Sequence, residues 1–165
     1  MEYHSSLDPE QLRQAMRAWS SGVTVVTAQY QGERHGMTVS SFTSVALQPP
    51  LVIISLQTDS RTRRLVSQAG AFAVTILAED QREISERFAG RSTESQDRLA
   101  GLETQTLATG APLLEGGLAW LDCRVTQTIP VGGNTLFLAE VVAAQQRKKG
   151  KPLLYHQRRY GRWME

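Results

Sequence analysis

Short hydroxyl side chains cluster where they could serve a ligand. Thr38, Ser40, Ser41, Thr43 and Ser44 lie close together, Ser55 falls near the end of the next apolar run, and Ser60 and Thr62 stand at a helix start. The run Met37-Thr38-Val39-Ser40-Ser41 offers consecutive main-chain donors and acceptors beside short hydroxyls, a suitable lining for a flat heteroaromatic ring hydrogen-bonded along its edge. Ser60-Arg61-Thr62 offers the other half of a site. Helix-start amides and the helix dipole favour an anion, two hydroxyls donate to it, and a guanidinium at Arg61 can pair with a phosphate through two bonds. Together they read as a mononucleotide cofactor site. The same residues also read as β-propensity fillers with Ser60 a plain N-cap, and spacing alone leaves both readings open.

Other chemistries lack their signatures. The chain has no GxGxxG after a strand, no GxxxxGK[ST], no HExxH, no paired cysteines and no GxSxG, which removes the usual marks of Rossmann binding, phosphate-loop hydrolysis, zinc proteolysis and acyl transfer. His4, His35 and His156 are far apart in sequence, so no metal site is expected. Eighteen basic against sixteen acidic side chains leave a net charge of +2, too even a balance for a broad phosphate-backbone footprint. The basic run Arg147-Lys148-Lys149-Gly150-Lys151 has no interleaved aromatic platform and reads as a solvated turn, so nucleic-acid binding is not expected. The lone Cys123 sits in an apolar run and reads as core, which fits a reducing compartment. No apolar run approaches the ~18 residues of a membrane span and the first residues lack a leader pattern, so a soluble, cytoplasmic protein is expected.

The elements that must position these residues follow from periodicity. The 165 residues suit one domain over 1–165. Asp8 as N-cap and Pro9 at the first turn predict a helix over 9–19, with Leu12, Ala15, Met16 and Trp19 on its inner face. A hairpin is predicted from the β-branched run 23–28 and the stretch 36–43, turning at 31–34. Pro49-Pro50 introduces a central strand over 51–56. Ser60 caps a helix ending near Gly70, and a strand over 71–77 and a helix over 79–88 follow, with Ile84 and Phe88 inward. Residues 89–112 read as a long polar excursion with a helical turn around 97–102. Strands over 118–128 and 135–144, joined through 130–134, close the predicted set. About six strands with hairpin connections argue for a mainly β, mostly antiparallel barrel with short flanking helices. The tail aromatics Tyr155, Tyr160 and Trp163 must dock on the barrel or on a second subunit.

Several segments, read together, resemble a known family. They are 22–27, His35-Gly36-Met37-Thr38-Val39-Ser40-Ser41-Phe42-Thr43-Ser44-Val45, 49–52, Ser60-Arg61-Thr62, 72–74, Arg87-Phe88-Ala89-Gly90, Asp97-Arg98 and 152–160. In this order they are similar to the short-chain flavin reductases, the FMN-binding split-barrel reductase components of two-component monooxygenases. The resemblance implies a six-stranded split barrel, with FMN or FAD lying against Met37, Thr38, Val39, Ser40 and Ser41. It further implies Ser55 and Leu56 beside the ring or ribityl chain, Ser60, Arg61 and Thr62 on the phosphate, and Phe88 and Arg98 lining the site. It departs at one place: the family often carries Asp-His just before the final strand, near the incoming nicotinamide, where this chain has Gly133-Asn134. Asn134 can hydrogen-bond a nicotinamide but cannot titrate.

The resemblance therefore implies hydride transfer from NADH or NADPH to flavin, with no obligatory side-chain acid or base. It also implies a homodimer and transient supply of reduced flavin to a monooxygenase. The rival expectations are a non-catalytic FMN-binding split barrel and, from a different class, a structural or nucleic-acid-binding barrel.

Overall fold

The computed structural model describes residues 6–90 and 96–164. In chain order these form α1 (Pro9–Met16), β1 (Ser21–Gly22), β2 (Thr24–Tyr30), β3 (Glu33–Val39), β4 (Phe42–Leu47), β5 (Pro50–Gln57), α2 (Arg61–Ala69), β6 (Ala71–Ile76), α3 (Arg82–Ala89), β7 (Thr104–Gln105), β8 (Leu113–Leu114), β9 (Ala119–Val131), β10 (Asn134–Gln146), β11 (Leu153–His156) and β12 (Arg159–Arg162).

The main sheet is antiparallel and has seven strands, ordered β3-β2-β6-β9-β10-β5-β4. Its first and last strands, β3 and β4, are neighbours in the chain, separated only by Ser40 and Ser41. Three peptide links reach no more than about 11 Å, so the two edges must come together and the sheet must curl into a barrel. The seam carries no β3–β4 ladder; that is the split. The predicted six strands become seven here, because the run 36–43, continuous in propensity, breaks at Ser40-Ser41, and its second half turns back through Pro49 to pair with β5.

Period-2 alternation fills the barrel. Val26 and Ala28, Val52, Ile54 and Leu56, Phe72 and Val74, and Phe137 and Ala139 point inward around Cys123, and Leu65 and Val66 of α2 join the same core. The helix α2 has the ends its sequence requires: the Ser60 side chain accepts from the Arg63 N–H, and Gly70 takes the left-handed conformation at φ 63°. On the outer side of β2 a second cluster joins Val23, Val25, Leu77, Phe88, Leu99, Leu114 and Leu153. The excursion after α3 is therefore structural as well as polar, since Leu99, Leu113 and Leu114 are buried and β7 pairs with β8. Asp122, fully buried, is hydrogen-bonded by the amides of Ala108 and Thr109 and by the Thr109 hydroxyl.

Other expectations shift at the ends. Strand β9 runs three residues beyond its predicted end, to Val131, and β10 begins one residue early, at Asn134, leaving Gly132-Gly133 as the turn. The helix α3 starts at Arg82, after a turn in which the Gln81 side chain accepts from the Ala78 amide. The first helix stops at Met16 and buries none of its residues. Leu12, Met16 and Trp19 are 55%, 54% and 70% exposed, so among the described residues the predicted inner face is left uncovered. The tail folds as the β11–β12 hairpin, and β11 pairs with β1. Gln157 and Arg158 are both left-handed in its turn, which matches the strand twist. Tyr160 is half-buried there, whereas Trp163 is exposed, contrary to the expectation that all three tail rings dock. Among the described residues, no helix is long and apolar enough to cross a membrane and no three His, Cys, Asp or Glu side chains could hold a metal together.

Two contacts fix β3 against the helices. Gly36 lets the Phe88 ring of α3 lie directly on the strand: a Cβ there would come within 2.8 Å of Thr27 Cγ2 and 2.9 Å of Phe88 Cε1. Both neighbours are buried and cannot swing away. The Gly36→Ala variant should therefore lose about 1–3 kcal/mol of stability, read as a lower urea midpoint. At the start of the same strand, the Glu33 carboxylate accepts from Arg61 Nε at 2.7 Å and from an Arg64 terminal nitrogen at 2.6 Å. The hydrogen bonds from Arg64 and Arg61 hold its carboxyl below the ordinary 4.5. A lowered folded-state value stabilises the fold above pH 4.5 and ceases to do so as pH falls through that lowered value. Wild type and Glu33→Gln should differ slightly in melting temperature at pH 7 and converge in acid below pH 4.5.

Candidate active site

The seam opens into a cleft of about 920 Å³, near the top of the roughly 300–1,000 Å³ range of small-molecule sites. Met37, Thr38, Val39, Ser40 and Ser41 form one wall. In the sheet β3 pairs only with β2, so its other side is an edge whose outward main-chain groups lack a strand partner. An edge facing a cleft is a main-chain reading surface for a ring with polar rims, the same physics by which a peptide adds a strand.

The hydroxyls mostly hold the wall in place. Ser41 Oγ donates to the Ser55 carbonyl at 2.7 Å and accepts from the Ser55 amide at 3.3 Å, a two-way bond that continues the β4–β5 pairing by one residue and ties the β3–β4 link to β5. Thr38 Oγ1 donates to the Ser85 carbonyl of α3 at 2.6 Å. Ser60 Oγ caps α2. Ser55 and Ser60 border the cleft, as do Phe88 and Arg98. Arg98 is almost wholly buried, its guanidinium donating to the carbonyls of Gly36 and Phe88, each at 3.0 Å, and of Gly90. It thus sews β3 to the end of α3 and places a permanent positive charge at the cleft.

Three expected site side chains do not line the cleft. Leu56 belongs to the barrel core because strand alternation turns it away from Ser55. Thr62 is buried on the far side of the helix start, its Oγ1 2.8 Å from His35 Nδ1. Arg61 is drawn to Glu33, an acid 28 residues earlier that strand β3 carries to the helix. The first intrahelical bond runs from the Arg64 N–H to the Ser60 carbonyl, and the Arg63 amide is taken by Ser60 Oγ; amides at such a helix start are of the kind that can face an anion.

Asn134 lines the cleft at the tip of the β9–β10 hairpin beside Gly133, whose carbonyl accepts from the Thr58 amide at 3.0 Å. That bond fixes the tip over the end of β5. Sequence reasoning missed Ser85, which sits one helical turn before Phe88, a spacing that could have revealed it. It also left Tyr155 and Tyr160 as unplaced tail aromatics, and both line the cleft. Among the described residues, no histidine lines it.

The lining fits a flavin: a long cleft, an unpartnered main-chain edge for the ring, short hydroxyls and a helix start at one end. Comparison with known proteins carries the same chemistry. Residues 16–164 match the flavin reductase like domain. The chain is 37% identical to the actinorhodin polyketide dimerase of Streptomyces coelicolor, over 93% of this chain and 85% of that one. It is 36% identical to the NADH-dependent flavin reductase StyB of Pseudomonas fluorescens, over 93% and 89%. Among solved structures, the Streptomyces globisporus NADH:FAD oxidoreductase superposes with a TM-score of 0.90 at 32% identity, covering 100% of this chain and 99% of that one. With a mainly β split barrel, a cleft at its seam and these matches along nearly its whole length, the chain belongs to the flavin reductase family.

Proposed function

We propose that this chain is an NAD(P)H:flavin oxidoreductase that reduces FMN or FAD and supplies the reduced flavin to a separate monooxygenase. The observation that carries this reading is the unpartnered edge of β3, turned into the seam cleft with the start of α2 at one end. When bound, the flavin supplies the redox chemistry, taking a hydride at N5 from C4 of the nicotinamide.

The chain's own residues bind and orient. The main chain of 37–41 meets the polar rim of the ring, the helix-start amides and Ser60 face the phosphate, and Arg98 puts fixed positive charge where negative charge develops on reduction. Asn134, at the pinned hairpin tip, offers an amide to the carboxamide of the nicotinamide and orients it. Nothing in this set must gain or lose a proton. Affinity is also kept moderate: with Arg61 paired to Glu33, phosphate binding rests on dipoles and hydroxyls, so the flavin can leave as a product.

NAD(P)H oxidation should accelerate on adding FMN or FAD, and no acceleration at saturating flavin would end the proposal. A non-catalytic flavin-binding barrel would bind flavin yet fail this assay. With no histidine among the described residues of the cleft lining, kcat should stay flat between pH 6 and 8, while Asn134→His should introduce an inflection near about 6.5, checked by a pH–rate profile.

We also propose that the chain is one domain over 1–165 working in the cytoplasm as a homodimer. The unpacked face of α1 and the exposed Val45 and Leu47 of β4 support a self-complementary contact. Sedimentation equilibrium should return twice the monomer mass, and a monomer at all concentrations would refute it.

A further inference from the structure

The cleft extends beyond the residues that the flavin reading uses. At the end formed by α3, the chain before β2 and the terminal hairpin, it is bordered by Ser21, Val23, Ser85, Tyr155 and Tyr160. None of these side chains is charged. Phosphate recognition belongs elsewhere in the cleft, and this end suits an uncharged planar group with polar edges.

The aromatic pair is built to hold still. The Tyr155 and Tyr160 rings meet edge to face, with centroids 5.3 Å apart and planes at 61°. Tyr160 is fixed twice: its hydroxyl lies 2.8 Å from Ser85 Oγ, and the Arg82 guanidinium sits 5.3 Å from its ring centre. Tyr155 is fixed by its strand, opposite Ser21 on one side and Tyr160 on the other. The residue is nevertheless 37% exposed. A large aromatic side chain held in place at a cleft wall and still partly exposed is a stacking platform that costs little ordering entropy on binding. Ser85 links it to the ring-binding wall, because its carbonyl receives the Thr38 hydroxyl at 2.6 Å. The two regions are therefore parts of one rigid surface.

We infer that the Tyr155–Tyr160 end of the cleft is a purine-stacking subsite that takes the adenine ring of an adenine dinucleotide while the redox-active half lies along β3. This rests on the flavin reductase reading and deepens it. Adenine has the required chemistry: it is flat and neutral, and its edge can be met by the hydroxyls of Ser21 and Ser85. Both FAD and NAD(P)H carry it.

The test compares ligands that differ only in the adenylate half, using the full chain. Dissociation constants for FMN and FAD are taken from quenching of flavin fluorescence. Michaelis constants for NADH and for reduced nicotinamide mononucleotide are taken with FMN as acceptor. Loss of one stacking partner is expected to be worth about fivefold or more. If the adenine comes from FAD, Tyr155→Ala weakens FAD at least about fivefold more than FMN. If it comes from NADH, the variant raises KM for NADH at least about fivefold more than KM for the mononucleotide. Either result supports the subsite and names its source. Tyr155→Phe keeps the ring and should keep the wild-type ratios; a defect equal to that of Tyr155→Ala would overturn stacking, as would unchanged ratios in Tyr155→Ala. Failure of the wild-type chain to bind FMN would sink the flavin reading instead, and the same titration separates that result from loss of the subsite alone.

Discussion

Two residues tie the sheet's opposite edges together, and the rest of the architecture answers to that tether. A seven-stranded sheet with its ends joined through Ser40 and Ser41 has no choice but to roll up. Rolling creates an interior, which period-2 apolar residues fill, and a seam, which no ladder closes. An open edge is ordinarily a liability, a template for unwanted pairing. Here the edge of β3 faces a cleft, and the Ser41–Ser55 bonds hold the two-residue tether against β5. The proposed binding surface uses the side of β3 that has no strand neighbour.

Everything around the seam is organised to hold that edge still. Gly36 admits the Phe88 ring, Arg98 gathers three carbonyls from two elements, and Thr38 binds α3. The site owes its geometry to contacts behind the wall rather than to reactive groups in front of it. Hydride transfer between two cofactors asks for that division of labour: positional rigidity within fractions of an ångström and a fixed field, with no proton to be shuttled by a side chain.

Much of this was legible in the sequence, and the exceptions share a cause. Local signals worked: Ser60 and Gly70 bracketed α2, β-branched runs marked β2 and β6, and the glycines at 132–133 marked the hairpin. Segment order, through the family resemblance, gave the barrel and the cofactor class. What failed depended on partners distant in sequence. Arg61 reads as a phosphate ligand until Glu33, brought beside it by β3, claims it. Thr62 reads as a ligand hydroxyl until His35 is found against it. Leu56 was misplaced although strand alternation from Ser55 could have shown it facing inward. The break at Ser40-Ser41 left no mark, because hydroxyl residues suit a strand and a bend equally. The apolar stripe of α1 was correctly seen, but periodicity reports that a face is apolar and not what, if anything, covers it.

Cys123 lies at the centre of the barrel, fully buried, with its thiol pushed up to about 12 by burial and, secondarily, by the charge of Asp122. Free reduced flavin gives up its electrons to dioxygen and leaves hydrogen peroxide, which attacks thiolates far faster than thiols. By keeping its one sulfhydryl neutral and walled off, the fold is armoured against the oxidant that its own turnover would generate.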